Sequence, residues 1–256
     1  MQHFSSDGTD IAFFVEGEGA PILLIHGFAS TAAVNWVEPG WVDTLVKAGR
    51  RVVAFDDRGH GKSQKLYDPS AYDLGEMAED ARRLLDHLGI ERADVMGYSM
   101  GARIAARFAI RHPERVNTLI IGGLAEGLFA GISNRASIAA ALEAPGIGDV
   151  PDDAGRAFRG FAERTGSDLK ALAACIRGES DGIDPAALAA LPMPILFAVG
   201  TRDSVAGSIE AMAERVPNAE VLRIPNRDHM SAVGDKTFKE GVIAFLARAT
   251  VRARVG

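Results

Sequence analysis

The 256-residue chain, 47% hydrophobic and 24% charged, has ordinary globular composition and is long enough to bury a core without disulfides. Its net charge of −6 argues against a nucleic-acid surface. No apolar run approaches the roughly 20 residues needed to span a membrane, and the polar stretch Met1 to Asp10 lacks the basic flank and apolar centre of a signal segment. The one cysteine, Cys175, cannot form an internal bridge; it reads as a small buried apolar residue of a cytoplasmic, reducing compartment.

Ile11 to Val15 follows the turn signal Asp7-Gly8 and reads as an edge strand, paired with Gln2 to Ser5 as a hairpin. The continuous apolar run Ile22-Leu23-Leu24-Ile25 suits a strand buried on both faces, and it ends in His26-Gly27-Phe28. A helix is expected over Trp36 to Ala48. A strand over Arg51 to Phe55 runs into Asp57-Arg58-Gly59-His60-Gly61-Lys62-Ser63, and an amphipathic helix follows over Leu74 to Leu88. Next come a short apolar run, Ala93 to Met96, the pentapeptide Gly97-Tyr98-Ser99-Met100-Gly101, and a helical run from Ala102 to His112. Val116 to Ile121 is another apolar strand.

The alternation then breaks. Residues 125–191 contain no strand-like run and read as short helices at about 133–144, 152–165, 167–178 and 185–191, punctuated by glycines such as Gly155, Gly160, Gly178 and Gly182 that offer flexible joints. Alternation resumes with Ile195 to Val199, a helix over Ser208 to Val216, a strand over Glu220 to Ile224 and a last helix over Thr237 to Ala249, before a basic tail, Thr250 to Gly256, expected to fray. Repeated strand–helix units demand a parallel sheet with helices on both faces. The division expected is a core of residues 1–124 and 192–256 with a helical cap, 125–191, over the carboxyl ends of the strands, where open α/β sheets carry their sites.

A strand, a very tight turn and a helix is the context in which G-x-S-x-G acts as a nucleophile elbow. A serine hydroxyl needs an adjacent base. Of six histidines, only His229 lies on a loop after a C-terminal strand, later in the chain than Ser99. The orienting acid is Asp203, just past the strand Ile195 to Val199; Glu126 ranks second, and Asp228 competes but adjoins the histidine. Two oxyanion donors are expected, the N–H groups of Met100 and Phe28, with His26 bracing the loop. Phe28, Trp36 and Met100 are the candidate substrate-binding residues, in an apolar pocket suited to uncharged, small to medium acyl groups. No dinucleotide fingerprint or metal-ligand cluster is present, so neither cofactor nor metal is expected.

His26-Gly27-Phe28, Asp57 to Ser63, Gly97 to Gly101, Gly200-Thr201-Arg202-Asp203 and Asp228-His229, in this order, resemble the α/β-hydrolase superfamily over nearly the whole chain. The resemblance implies an α/β fold with a mostly parallel eight-stranded sheet, a helical cap after the sixth strand, and a structural role for the Asp57 to Ser63 loop. Ser99 is similar to the nucleophile of esterases, lactonases, carbon–carbon bond hydrolases and cofactor-free haloperoxidases, and unlike the aspartate of haloalkane dehalogenases and epoxide hydrolases. The expected activity is a serine hydrolase of carboxylesterase type acting on a small-molecule substrate. The alternative is a small-molecule receptor or signalling protein with an intact triad and slow turnover. A triad-bearing acyltransferase is a third reading.

Overall fold

The computed structural model describes residues 1–132, 134–178 and 181–255, with side chains described through Ala249. Its centre is one eight-stranded sheet in the order β1-β2-β4-β3-β5-β6-β7-β8. The strands are β1 (Gln2–Ser6), β2 (Thr9–Glu16), β3 (Ala20–Ile25), β4 (Arg50–Phe55), β5 (Ala93–Tyr98), β6 (Val116–Gly122), β7 (Ile195–Gly200) and β8 (Glu220–Ile224). β1 and β2 form a hairpin and β2 runs antiparallel to β4; every other pairing is parallel. The edge strands are therefore β1 and β8, and Ile11 to Val15, expected at an edge, lies in β2, covered by β1 on one side and β4 on the other.

Helices are α1 (Trp41–Lys47), α2 (Leu74–His87), α3 (Met100–Arg111), α4 (Arg135–Glu143), α5 (Asp153–Arg164), α6 (Leu169–Arg177), α7 (Pro185–Ala189), α8 (Ile209–Arg215), α9 (His229–Ala232) and α10 (Lys236–Val255). The helix expected over Trp36 to Ala48 is two pieces, a π-type turn at Ala33–Val37 and then α1. Pro39-Gly40 separates them, with Gly40 in the left-handed region at φ 78°. α10 continues past Ala249 to Val255, so the stretch expected to fray is helical in its backbone; its last residue, Gly256, lies outside the described residues. Ser133, which opens the helix expected over 133–144, also lies outside them. Among the described residues no helix is long and apolar enough to cross a membrane.

Strand periodicity explains the two cores. In β3, Leu23 and Ile25 enter one apolar cluster while Ile22 and Leu24 enter the other, and all four are fully buried. The first cluster is closed by α2, α3 and α8 through Met77, Leu84, Ile104, Phe108 and Met212. The second is closed by α1 and α10 through Trp41, Leu45, Phe238, Val242 and Phe245. Each such side chain contributes about 1.5–3 kcal/mol when fully buried. A third cluster belongs to the helical stretch between β6 and β7: Ile138, Leu142, Ala162, Leu172 and Ile176 pack together with Ala29, and Phe28, Phe158 and Phe161 lie against them.

Three ties hold this helical stretch to the sheet. Buried Arg103 on α3 donates to the carbonyls of Gly127, Leu128 and Ala130, just after β6. The Thr165 hydroxyl, just past α5, donates to Ala29 O at 2.9 Å. Gly178 has no room for a Cβ, which would lie 2.6 Å from Tyr72 O; within the stretch itself, one on Gly182 would lie 2.0 Å from Phe129 O. These two glycines permit close approach of backbones, and Gly155 and Gly160 sit inside α5, so none of the four is the free joint their chemistry suggests.

The Asp57 to Ser63 loop is structural, as the resemblance implies. Asp56 accepts from Ala32 N at 2.8 Å and Lys62 N at 2.7 Å. Arg58 makes two bonds to Asp80, of 2.7 and 2.8 Å, and a third to Ala71 O.

Candidate active site

Ser99 sits at the tip of the turn from β5 to α3, at φ 56°, ψ −114°. An L-residue rarely takes that conformation, and here the surroundings enforce it. A Cβ on Gly97 would lie 2.1 Å from Gly101 O, and one on Gly101 would lie 2.1 Å from Ile25 O. Only glycine at both places lets the turn close and α3 pack against β3. Ser99 N donates to Gly122 O at 2.9 Å, which pins the elbow to β6.

The Ser99 hydroxyl lies 2.9 Å from His229 Nε2, and His229 Nδ1 lies 2.8 Å from Asp203 Oδ2. A carboxylate can only accept, so Nδ1 carries the proton and Nε2 is left to accept from the serine. The Asp203 side chain is fully buried, and its Oδ1 accepts from the N–H groups of Val205 and Ala206 at 2.9 and 3.1 Å. Those bonds fix the carboxylate's orientation. The Tyr98 hydroxyl donates to His229 O at 2.5 Å and holds the histidine from its backbone side.

The two competing acids lie elsewhere. Asp228 caps α9 through Ser231 N at 2.8 Å, and Glu126 faces Ser208 N at 3.4 Å. Ser99, Asp203 and His229 thus converge from the ends of β5, β7 and β8.

Phe28 lies in the loop after β3, and its N–H donates to no backbone carbonyl among the described residues. The N–H of Met100 opens α3 and so has no acceptor within the helix, beside the positive end of the helix dipole. Gly27 lets the two loops approach: a Cβ there would lie 3.3 Å from Tyr98 O and 3.4 Å from Ser99 Cβ. Gly27 N donates to Asn35 Oδ1 at 2.8 Å. His26 donates from Nδ1 to Gly27 O at 2.8 Å and accepts Asp57 N at Nε2, 2.9 Å away, the bracing role expected of it. Burial pushes its pKa down to about 4, so it stays neutral.

A cleft of about 580 Å³ opens between the sheet and α5, lined by Ser99, His229, Phe28, Asn35, Phe158 and Phe161 among others. Three of the exposed large apolar side chains, Ile147, Val205 and Met230, stand on its walls. Two expectations need correction. Trp36 does not line the cleft: it is fully buried in the second core cluster, edge-on to Trp41. The π-type turn presents its neighbour Asn35 to the cleft instead, a residue that counting along a regular helix passes over. The Met100 side chain turns away from the cleft into a small separate cavity with Phe28, Tyr72 and Cys175, where its sulfur lies 4.0 Å from the Cys175 sulfur. Cys175 is buried, as expected, and burial pushes its thiol pKa up.

Beneath the bracing loop, the Asp57 carboxyl is 1% exposed, and neither oxygen has a hydrogen-bond partner among the described residues. Burial, with Asp80 and Asp56 nearby, pushes its pKa well above the carboxylate range. A raised native pKa means the folded chain holds a proton that the unfolded chain releases, so Asp57 costs stability above that pKa and the cost fades as pH falls toward 4. Asp57→Asn should therefore stabilise the protein at pH 8 by about 1 kcal/mol or more, the scale of a buried unpaired polar group, and by much less near pH 4. Urea unfolding at both pH values checks this; an equal gain at both, or none at pH 8, contradicts it.

A family model described as alpha/beta hydrolase fold matches residues 20–169. Over 113 residues the chain is 42% identical to a 2-hydroxymuconate semialdehyde hydrolase of Pseudomonas sp., covering 43% of this chain and 38% of that protein. Over 98 residues it is 39% identical to epoxide hydrolase B of Mycobacterium tuberculosis, covering 38% of this chain and 27% of that protein. These stretches span well under half of either relative. Likeness to solved structures runs over nearly the whole chain: the enol-lactonase of Burkholderia xenovorans superposes with a TM-score of 0.81 at 21% identity, covering 96% of this chain and all of that one. A structure from a study of carboxylesterases of the thaumarchaeon Nitrososphaera gargenis gives 0.80 at 21%, covering 98% of this chain and all of that one. At such identities these likenesses speak for the fold. The family match extends over more than half of the sequence and includes the Ser99 elbow, and with the sheet order described above it makes this chain a member of the α/β-hydrolase family.

Proposed function

We propose that the protein is a serine hydrolase that cleaves a carboxylic ester, or a related acyl compound, with a largely apolar body. The observation that carries this is the unbroken chain from Ser99 Oγ through His229 to the buried Asp203, opening on a cleft walled by Phe28, Phe158 and Phe161. In this reading residues 125–191 act as a cap over the core, and Phe28 and Asn35 face the substrate.

His229 Nε2 takes the Ser99 proton as Oγ attacks the acyl carbon. The carbonyl oxygen becomes an oxyanion, held by the N–H groups of Phe28 and Met100. On collapse the leaving oxygen takes the proton from His229, and an acyl-Ser99 ester remains. Water then attacks the acyl carbon and gives a proton to His229. Collapse of the second oxyanion returns that proton to Ser99 and frees the acid. Asp203 holds the ring in the tautomer described above and stabilises the imidazolium. The matched relatives include an epoxide hydrolase and a hydrolase of a muconate semialdehyde, so the family accommodates more than one bond type. Serine at position 99, rather than the aspartate of epoxide hydrolases, favours the acyl reading here.

Steady hydrolysis of short 4-nitrophenyl esters, well beyond one equivalent of enzyme, is the expected result. Burst kinetics with mass spectrometry of the intact protein checks it. A single stoichiometric burst followed by a stable adduct on Ser99 or His229 would favour the ligand-binding alternative instead.

A further inference from the structure

The charged side chains lining the cleft are Arg156 and Arg164, both on α5, and no described lining residue is a carboxylate. The chain as a whole carries −6, so a cationic cleft runs against its average charge. Arg156 is engaged: it donates to Val150 O at 2.5 Å and pairs with Asp153. Arg164 is not. Its guanidinium stands 5.8 Å from the centre of the Phe161 ring, and it makes no ion pair or hydrogen bond with any described residue. The nearest acid in sequence, Glu163, is held by Arg159 at 2.7 Å. Phe161, under the guanidinium, is itself a wall of the cleft.

From this we infer that Arg164 is a specificity-determining residue that selects substrates bearing a carboxylate on an otherwise apolar acyl body. The inference deepens the acyl-hydrolase reading and rests on Ser99 being the reacting group of the same cleft. A planar guanidinium matches a carboxylate with two parallel N–H bonds, and the ring beneath restricts where it can swing. The apolar walls then take the methylenes between that carboxylate and the scissile carbonyl. Arg164 also ends α5, where a cation favours the helix dipole, and that purely structural role predicts no effect of ligand charge.

The test compares ligands that do not react. Calorimetry would measure binding of monoanilides of dicarboxylic acids against neutral anilides of equal chain length. The wild-type protein should prefer the carboxylated ligand by about tenfold, the scale of one charge-assisted contact at a solvated rim, and less so at high salt. Arg164→Gln should abolish the preference without weakening binding of the neutral ligand and with no more than the small drop in melting temperature that loss of the helix-end charge brings, and Arg164→Lys should restore part of the preference. Equal binding of the two ligands by the wild-type protein, or a preference that survives in Arg164→Gln, overturns the inference. In parallel, 4-nitrophenyl monoesters of the same diacids should show the preference chiefly in KM. A wild-type protein that turns the esters over with no preference for the carboxylated ones removes only the role of Arg164. A wild-type protein that prefers the carboxylated ligands but turns over no ester removes only the hydrolase reading.

Discussion

Ser99→Ala should fold like the wild-type protein and lose about 10⁴-fold or more of its ester turnover, since little but the oxyanion donors and binding remains once the nucleophile is gone. The substitution deletes one oxygen whose hydrogen-bond partner is His229 Nε2, and it leaves the His229–Asp203 bond in place. The strained backbone is not an obstacle. Alanine carries the same Cβ as serine, and Ala29 already holds φ 58° in this fold. Melting temperature should therefore change little while kcat/KM collapses. Wild-type-like turnover by purified Ser99→Ala would rule out the mechanism.

Asp203→Asn is expected to cost a similar factor by a different route. The asparagine oxygen can keep the bonds from Val205 and Ala206, which turns its amide NH₂ toward His229 Nδ1. Nδ1 must then accept, the proton moves to Nε2, and the ring points a donor at the serine it should deprotonate. Loss of about 10⁴-fold in kcat with an intact fold is the expected size of that wrong tautomer. Asp228→Asn should keep most activity, since asparagine caps a helix about as well as aspartate. Glu126→Gln should do the same, since among the described residues the Glu126 carboxylate reaches only Ser208 N. Measured together, a crippled Glu126→Gln beside an active Asp203→Asn would move the acid role to Glu126.

The sheet and the elbow were legible because their constraints are local. Gly97 and Gly101 must be glycine for the turn to close, and Leu23 and Leu24 must both be apolar because both faces of β3 are covered. The five motifs then placed the strand ends along the chain. What escaped depended on turns that break the regular period. Pro39-Gly40 interrupts a run that looks helical, and the π-type turn before it exchanges Trp36 for Asn35 at the cleft. The glycines of residues 125–191 read as joints because sequence records their freedom and not the backbone that crowds Gly178 and Gly182. The expectation of uncharged substrates rests on Phe28, Trp36 and Met100 and on the alanine, leucine, isoleucine and phenylalanine content of residues 125–191, and substrate charge is what the Arg164 test measures. Nothing in that stretch marks Arg164 as lining the cleft that holds Ser99 while Arg159, five residues earlier, is buried against the carbonyls of Ala141, Leu142 and Ala144.

Ser99 and His229 meet across 130 residues of chain, and Asp203 and His229 are supplied by the ends of β7 and β8, laid down last on one flank of the sheet. During synthesis the elbow leaves the ribosome with β3, β4 and β5 already available to shape it, but with no base beside it. Contacts this distant form late, because the intervening loop must first be closed. The growing chain therefore holds Ser99 without His229 until β7 and β8 dock, and in the proposed hydrolase reading activity appears only with the step that completes the sheet.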